Sequence, residues 1–456
     1  MMRGMSMSDR LFPFFRSGTA ALWLLAVGAP LTAHAGAGEA LLAADVPHAS
    51  PLPAAAAPAL ATVSHPVDLR QALEAAWQRH PQTAALAARQ TEAQARSELA
   101  DSLTPSPASV AIGQKTDRLH GNEGQREWEV EVATPLWLPA QKAARQGEAQ
   151  KGAQLLQAQT RLLRWQLAGE LREAWWALAA ARSSQAVARQ RLATAEALAQ
   201  SVQRRYAQGD LARVDANLAQ GEQLAAQIAL LEAEQALQQA EQRLVLLTGR
   251  PAPAELPAEP MPPFPLSPPS PPSHPETQDL AAHPQLEALR AGSELAASRV
   301  ALVDASRRDA PELALRWISE RRQATLPEER SVGIKLTWPL SSSARVQQDS
   351  AAARAELSQA DAELAQARLR IEQDVAQARQ ALAAAERQLS LARERQALAA
   401  DNLTLAQRSF DLGESDLPML MRARSEAIDA EAKLRQQQVA RELAVSRLHQ
   451  SLGLLP

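Results

Sequence analysis

An internal repeat of about 204 residues constrains this chain more than any other feature of its sequence. The triplet His80-Pro81-Gln82 returns as His283-Pro284-Gln285. Other landmarks return 204 residues apart: Tyr206 and Phe410, Gly209 and Gly413, Pro135 and Pro339, Gly249 and Gly453. Because single residues recur in the same order and spacing, the sequence predicts one structural unit that is used twice.

The repeat sets the domain boundaries. The first repeat spans residues 67–250 and the second spans residues 276–456. Between them, residues 251–275 contain twelve prolines, which favour an extended linker and disfavour a helix. Joining the two repeats is a sufficient role for this linker, although proline-rich segments also bind partner domains.

The N-terminus predicts export. Arg3, Arg10 and Arg16 precede a short apolar run, and the small residues Ala33 and Ala35 follow it. This order is typical of a secretory signal peptide over residues 1–35, because the run is too short to span a bilayer. Residues 36–66 are rich in Ala and Pro and predict a disordered leader.

The composition predicts long helices with little conventional core. Aromatic residues make up only 3% of the 456 residues, and the chain has no cysteine, so disulfides are excluded. The net charge is −3, with basic residues distributed among acidic ones, which indicates solvated helix surfaces and no nucleic-acid binding.

Helical segments dominate both repeats. Residues 140–206 and 344–410 each predict a helix of about 100 Å at 1.5 Å per residue. The second keeps a seven-residue apolar spacing, typical of coiled-coil packing, at Leu357, Leu364, Ile371, Ala378, Ala385, Ala392, Ala399 and Ala406. A glycine-containing tip and a shorter return helix follow each long helix (215–248 and 418–452).

Two β-hairpins interrupt the helical pattern. Residues 127–132 alternate acidic and apolar side chains, and residues 109–114 supply the partner strand. The second repeat alternates in the same way near residues 313–317 and 332–338. The alternation predicts water-facing side chains at Glu127, Glu129, Glu131, Arg316 and Lys335, and lipid-facing side chains at Trp128, Val130, Val132, Val332, Ile334 and Leu336.

These strands require partners from other chains. Four strands cannot close into a barrel, and open strand edges are not tolerated in lipid. The alanine-rich helix seams also need neighbours on both sides. We therefore expect an oligomer that inserts into lipid. A soluble periplasmic coiled-coil protein, structural or an adaptor, is the alternative of a different class.

The order and doubling of these elements resemble the TolC-like outer-membrane efflux family over residues 67–456. The strand-ending Pro135 and Pro339 carry the resemblance, together with the tips around Gly209 and Gly413 and the closing Leu-Thr-Gly and Ser-Leu-Gly triplets at 247–249 and 451–453. The resemblance implies a mainly α homotrimer with a small β portion. Its four strands per chain form a 12-stranded transmembrane β-barrel, and coiled-coil helices form a tunnel into the periplasm.

The resemblance also implies partners and functional surfaces. It implies a periplasmic adaptor (a membrane fusion protein), an inner-membrane pump of the RND type, and outer-membrane lipid. The residues expected at the adaptor contact are Tyr206, Gly209, Phe410, Gly413 and Leu417. At the entrance, where a well-known member has two aspartates, this chain has Met419 and Arg422. Arg422 is expected to pair with Asp215 or Asp416 across neighbouring helices.

The sequence is consistent with several kinds of cargo. The segments 134–139 and 412–418 resemble the branch that works with cation-exporting pumps. Drug export, and protein secretion through a type I channel, fit the same architecture.

The sequence indicates no enzyme. It contains no His-Glu-x-x-His motif, no phosphate-binding glycine loop and no cysteine nucleophile, and we expect no cofactor and no bound metal. His80 and His283 stand beside prolines at equivalent repeat positions, which favours helix-end packing over metal ligation.

Overall fold

The computed structural model of the protein describes residues 68–121, 123–262 and 280–456. The predicted signal peptide (1–35), the leader (36–66) and the end of the linker lie outside these residues.

The described chain is mainly helical, with one small sheet. The first half forms α1 (Leu69–Arg79), α2 (Gln82–Asp101), β1 (Ser109–Thr116), β2 (Arg126–Pro135), α3 (Pro139–Ala207) and α4 (Arg213–Thr248). The second half forms α5 (Pro284–Ala305), β3 (Glu312–Arg321), β4 (Glu329–Thr337), α6 (Ser343–Asp411) and α7 (Leu417–Ser451). Both halves therefore follow the order helix, hairpin, long helix and return helix. The predicted mainly α class with four strands is confirmed.

Proline, glycine and capping residues set the helix ends. Asp68 caps α1 by accepting from the Gln71 amide at 2.8 Å, and Pro81 separates α1 from α2, because proline cannot continue a helix. The turns after α3 and α6 contain Gly209 (φ 89°) and Gly413 (φ 75°). These positive φ angles favour glycine and allow the chain to reverse.

The two long helices have 69 residues each and are flanked by shorter helices. Helix α3 packs against α2 and α4, and α6 packs against α5 and α7. Contacts between α3 and α7 and between α3 and α5 join the halves. None of the described helices is both long and apolar enough to cross a membrane.

The largest apolar cluster lies midway along α3. Leu171, Trp175 and Leu178 are fully buried there, against α1 and α4. On α6 the predicted heptad positions are all buried or half-buried, and Val375, Leu382 and Leu389 add a second buried row. Two rows on one face are the a/d pattern of a coiled coil, which explains how small alanines sustain a long contact.

The four strands form a single antiparallel sheet in the order β1-β2-β3-β4. The central pair joins the two halves of the chain, with Val130 opposite Trp317 and Val132 opposite Leu315. Strands β1 and β4 are the edges, and neither has a further partner among the described residues.

Candidate functional site

The sheet has two chemically different faces. Cross-strand register places Val130 beside Ile112 and Trp317, and Val332 beside Trp317, on one face. This apolar face is largely exposed, as shown by Ile334 at 78% and Val332 at 70%. We call it the outward face. It contains all the residues predicted to face lipid: Trp128, Val130, Val132, Val332, Ile334 and Leu336.

The opposite face, here the inward face, is polar and rich in carboxylates. Arg316 Nε donates to Glu129 Oε1 at 2.6 Å and lies 3.2 Å from Glu131 Oε2. Lys335 Nζ lies 3.3 Å from Glu131 Oε1. The cations thus neutralise Glu129 and Glu131 in part, whereas Glu127 has no ion pair among the described residues.

Three further carboxylate positions of the inward face lie near the hairpin loops, where Arg322 Nε lies 3.5 Å from Glu320 Oε1 and its Nη2 lies 3.9 Å from Glu329 Oε2. Glu127 stands opposite Glu320, and Glu320 stands opposite Glu329. Sequence reasoning had selected Glu127 but not the other two, because only the register between strands brings them to the same height. Carboxylates that share one face attract cations.

The opposite end of the molecule is formed by two glycine tips. Gly209 and Gly413 are exposed, and a Cβ at either would meet nothing within 4 Å. Tyr206 is 37% exposed, but Phe410 and Leu417 are buried at 6% and 2% in the cluster that joins the tips. Phe410 and Leu417 therefore set the shape of this end and expose little surface to a partner.

The packing between the tips includes a stacked cation. The Arg205 guanidinium lies 4.9 Å from the centre of the Phe410 ring, which holds the first tip against the second. Asp416 caps α7 by accepting from the Met419 amide at 3.0 Å. Asp215 accepts from the Ala212 amide at 3.2 Å.

Two of the predicted entrance residues, Asp215 and Asp416, therefore have local roles in the single chain. Asp215 and Asp416 each cap a return helix. Arg422 is exposed and forms no ion pair among the residues the structure describes. Within the described chain it pairs with neither Asp215 nor Asp416, and the predicted pairing across neighbouring helices stays a prediction for helices of two chains.

Sequence reasoning missed Arg424, which lies on α7. Its Nη2 donates to Gln407 Oε1 at 2.7 Å and its Nη1 to the Thr194 carbonyl at 3.4 Å, so one side chain joins α7 to both long helices. Burial lowers the pKa of the Arg424 guanidinium from its ordinary value, and the nearby Asp411 acts in the opposite direction. Only the packing of three helices identifies this residue, since its sequence context is an ordinary charged helix.

A buried polar network was also missed. Arg172 on α3 and Glu259 in the linker are 2% and 8% exposed, and Arg172 Nη2 lies 2.7 Å from Glu259 Oε1. Arg172 also donates to Gln450 Oε1 at 2.6 Å, and Ser446 contacts Glu259. The start of the linker is therefore anchored on α3 and α7, beyond its predicted role as a connection.

The repeated histidines have matching local geometry. Nδ1 of His80 accepts from the Gln82 amide, and Nδ1 of His283 accepts from the Gln285 amide at 3.2 Å. His283 is 1% exposed and packs edge-on against Trp165. Burial lowers its pKa to about 4. Within the described residues, no cluster of His, Asp and Glu has the arrangement of a metal site.

Comparison with known proteins supports this architecture. Residues 277–454 match the family described as "Outer membrane efflux protein". No curated protein matches the chain in sequence.

Solved structures match over most of the chain. VceC, an outer membrane protein from Vibrio cholerae, is 16% identical and superimposes with a TM-score of 0.67 over 84% of this chain and 96% of its own. CusC, solved in a study of transmembrane channel formation, is 16% identical, with a TM-score of 0.70 over 85% and 93%. The MtrE outer membrane channel of Neisseria gonorrhoeae is 17% identical, with a TM-score of 0.66 over 85% and 89%.

At these identities the solved structures establish the fold of the chain, and the similarity in sequence to the efflux proteins covers residues 277–454. Residues 277–454 are thus similar in sequence to the outer membrane efflux proteins, and the described chain as a whole has the fold of the TolC-like outer-membrane channels.

Proposed function

We propose that this protein is a passive outer-membrane duct of a tripartite exporter. It would be a homotrimer, with the sheet in the outer membrane and the long helices in the periplasm. An inner-membrane pump, which we propose to be of the RND type, would supply the energy through a periplasmic adaptor. The protein itself would catalyse no reaction.

One observation carries this proposal: a four-stranded sheet with an exposed apolar face and an acidic inward face stands on helices about 100 Å long. Its two edges leave backbone donors and acceptors unpaired, which is not tolerated in lipid. Because β1 and β4 run antiparallel to each other in the four-stranded antiparallel sheet, β4 of one chain can pair with β1 of the next. Three chains then supply 12 strands, well above the smallest barrels of about eight.

The helices support the same assembly. Leu391, Leu398 and Leu405 on α6 repeat every seven residues and remain 65%, 68% and 54% exposed in the single chain. Helix α4 exposes Leu218, Ile228 and Leu231 at 43%, 59% and 66%. Exposed apolar rows at coiled-coil spacing favour burial against another copy of the chain.

We further propose that the cargo is a small cation. The carboxylates on the inward face support this choice, because a ring of them in a trimer would raise the local cation concentration. Drug export and protein secretion share the architecture, and transport assays with a metal salt, a dye and a secreted protein separate them.

The test of the duct is fractionation of cells that express the full chain. We expect the protein in the outer membrane, extracted only with detergent, and a trimer band on unheated gels that collapses on heating. A water-soluble monomer would refute the duct and favour the periplasmic coiled-coil alternative.

A further inference from the structure

Arginines cluster on the outward face where the strands meet the hairpin loops. Arg126 at the start of β2 stands directly opposite Arg321 at the end of β3. Arg330 on β4 stands opposite Ser319, which places it diagonally from Arg321. Directly opposed side chains have Cβ atoms about 5 Å apart and diagonal ones about 7–8 Å apart. Arg126, Arg321 and Arg330 therefore form one patch, the arginine cluster.

At this height the charged strand residues of the outward face are all arginines, whereas the inward face carries both signs: Lys115 stands opposite Glu127, and Arg322 lies 3.5 Å from Glu320 and 3.9 Å from Glu329. Each of these arginines is next in sequence to a glutamate, in the pairs Arg126-Glu127, Glu320-Arg321 and Glu329-Arg330. Neighbouring residues on a strand point to opposite faces, so the arginines share the outward face and the glutamates share the inward face. A surface that needed only solubility would not require a single sign on the outward face, since acidic residues would serve there equally well.

The protein supplies too little negative charge to neutralise the three arginines of the cluster. None of its three arginines has a hydrogen bond or an ion pair with a side chain in the part of the chain that the structure describes. One carboxylate interacts electrostatically with all three arginines: Glu328, in the β3–β4 loop, which accepts from the Ser319 hydroxyl at 2.6 Å. That hydrogen bond, together with the charges of the three arginines, lowers the pKa of Glu328. One carboxylate among three guanidiniums leaves a net positive patch, and like charges directly opposed on a sheet are destabilising.

The position of the cluster selects its ligand. Directly below it along the strands lies the apolar part of the outward face, with Val130, Trp317 and Val332 in one row and Val132, Leu315 and Ile334 in the next. In a membrane protein, cations at the end of an apolar band stand at the level of the lipid headgroups. Guanidinium groups match phosphate oxygens in two-point hydrogen bonds.

We propose that Arg126, Arg321 and Arg330 form a binding site for the phosphate groups of an anionic lipid in the leaflet that surrounds the hairpin loops. The proposal rests on the proposed function, because it requires the outward face to lie in a bilayer. A trimer carries three such sites around its rim. The bound lipid compensates the repulsion between Arg126 and Arg321 and sets how deep the sheet sits.

The test uses the full-length trimer in neutral detergent and two lipids. The probes are lipid A, which has two phosphate monoesters, and the same lipid after removal of its phosphates. Binding is measured by native mass spectrometry for the parent and for the variant Arg126→Gln, Arg321→Gln, Arg330→Gln. The matched control is Arg370→Gln, Arg387→Gln, Arg395→Gln, which removes the same charge from exposed positions on α6.

We expect the parent to prefer the phosphorylated lipid and the cluster variant to lose on the order of a hundredfold in affinity. A basic residue near an anionic membrane contributes roughly fivefold, and three act together here. The α6 control should bind as the parent does. Equal binding by cluster variant and parent would overturn the proposal, as would equal binding of the dephosphorylated lipid. Displacement by inorganic phosphate at the lipid's own concentration would also overturn it, since the site would then recognise small anions.

Failure of the lipid site is distinguishable from failure of the duct. Trimer bands on unheated gels and conductance in a zwitterionic bilayer report the duct alone, and the cluster variant should retain both. A parent that forms no trimer and no channel refutes the duct. A parent that conducts but binds both lipids equally refutes only the lipid site.

Discussion

The substitution Ile334→Arg tests whether the outward face contacts lipid. Ile334 lies in β4 opposite Leu315, within the apolar part of that face, and is 78% exposed in the single chain. Because almost nothing packs on Ile334, an arginine at this position should hardly change the free energy of unfolding of the single chain. A surface substitution of this kind changes the free energy of unfolding by about 0.5 kcal/mol or less.

A bilayer changes that expectation. An arginine on the lipid face of a barrel costs about 2–4 kcal/mol at the midplane and about 1 kcal/mol or less near the interfaces. Ile334 is four residues from Arg330, or about 14 Å along the strand, which places it well inside the apolar band. A cost of 2 kcal/mol for each chain corresponds to about a thirtyfold shift in the assembly equilibrium, and three chains add their costs.

The assay compares trimer yield in the outer membrane, and the temperature at which the trimer band collapses, for Ile334→Arg and Ser331→Arg. Ser331 lies three residues earlier on the same strand but on the inward face, opposite Ile318. An arginine there stays in water, so this control should assemble as the parent does. Equal yield and equal heat resistance of the two variants would refute the assignment of the outward face to lipid.

Three further outcomes are expected. Replacing Glu127, Glu129 and Glu131 by glutamine should reduce cation selectivity in single-channel recordings, and unchanged selectivity would leave these side chains only the role of water-facing polar groups. Gly413→Trp should leave trimers intact, because the tip is exposed and lies about 100 Å from the sheet. The same substitution should abolish export and cross-linking to the adaptor. Export with normal cross-linking would show that the tip is only a turn. Acid should destabilise the fold through His283, whose pKa is about 4 in the folded chain and 6.5 in the free side chain. Because the unfolded chain binds the proton more tightly, the free energy of unfolding falls by about 3 kcal/mol as the pH decreases from 6.5 to 4. His283→Asn, which can still cap α5 and does not titrate, should flatten that pH dependence in denaturant titrations, and an unchanged slope would assign it to other groups.

Most of the fold was predictable because its signals are local and periodic. The 204-residue repeat, the heptad spacing on α6 and the alternation in each strand determine element type, order and the two faces of the sheet. Proline and glycine determine where the long helices begin and turn, since their backbone restrictions act on one or two residues. The adaptor contact and the entrance residues were derived from a resemblance, and they remain predictions.

Tertiary structure alone decided which charges meet. Arg316 reaches Glu129 and Glu131 across β2 and β3, and Arg172 reaches Glu259 in the linker, over long separations in sequence. The register between β2 and β3 also brings Arg126 to Arg321, although each is an ordinary strand-end residue in its own segment. Pairings of this kind depend on how distant segments pack and in which register, which no local period specifies. The sequence thus determines the two faces of each strand, and the packing of the two halves determines the charge patterns those faces carry.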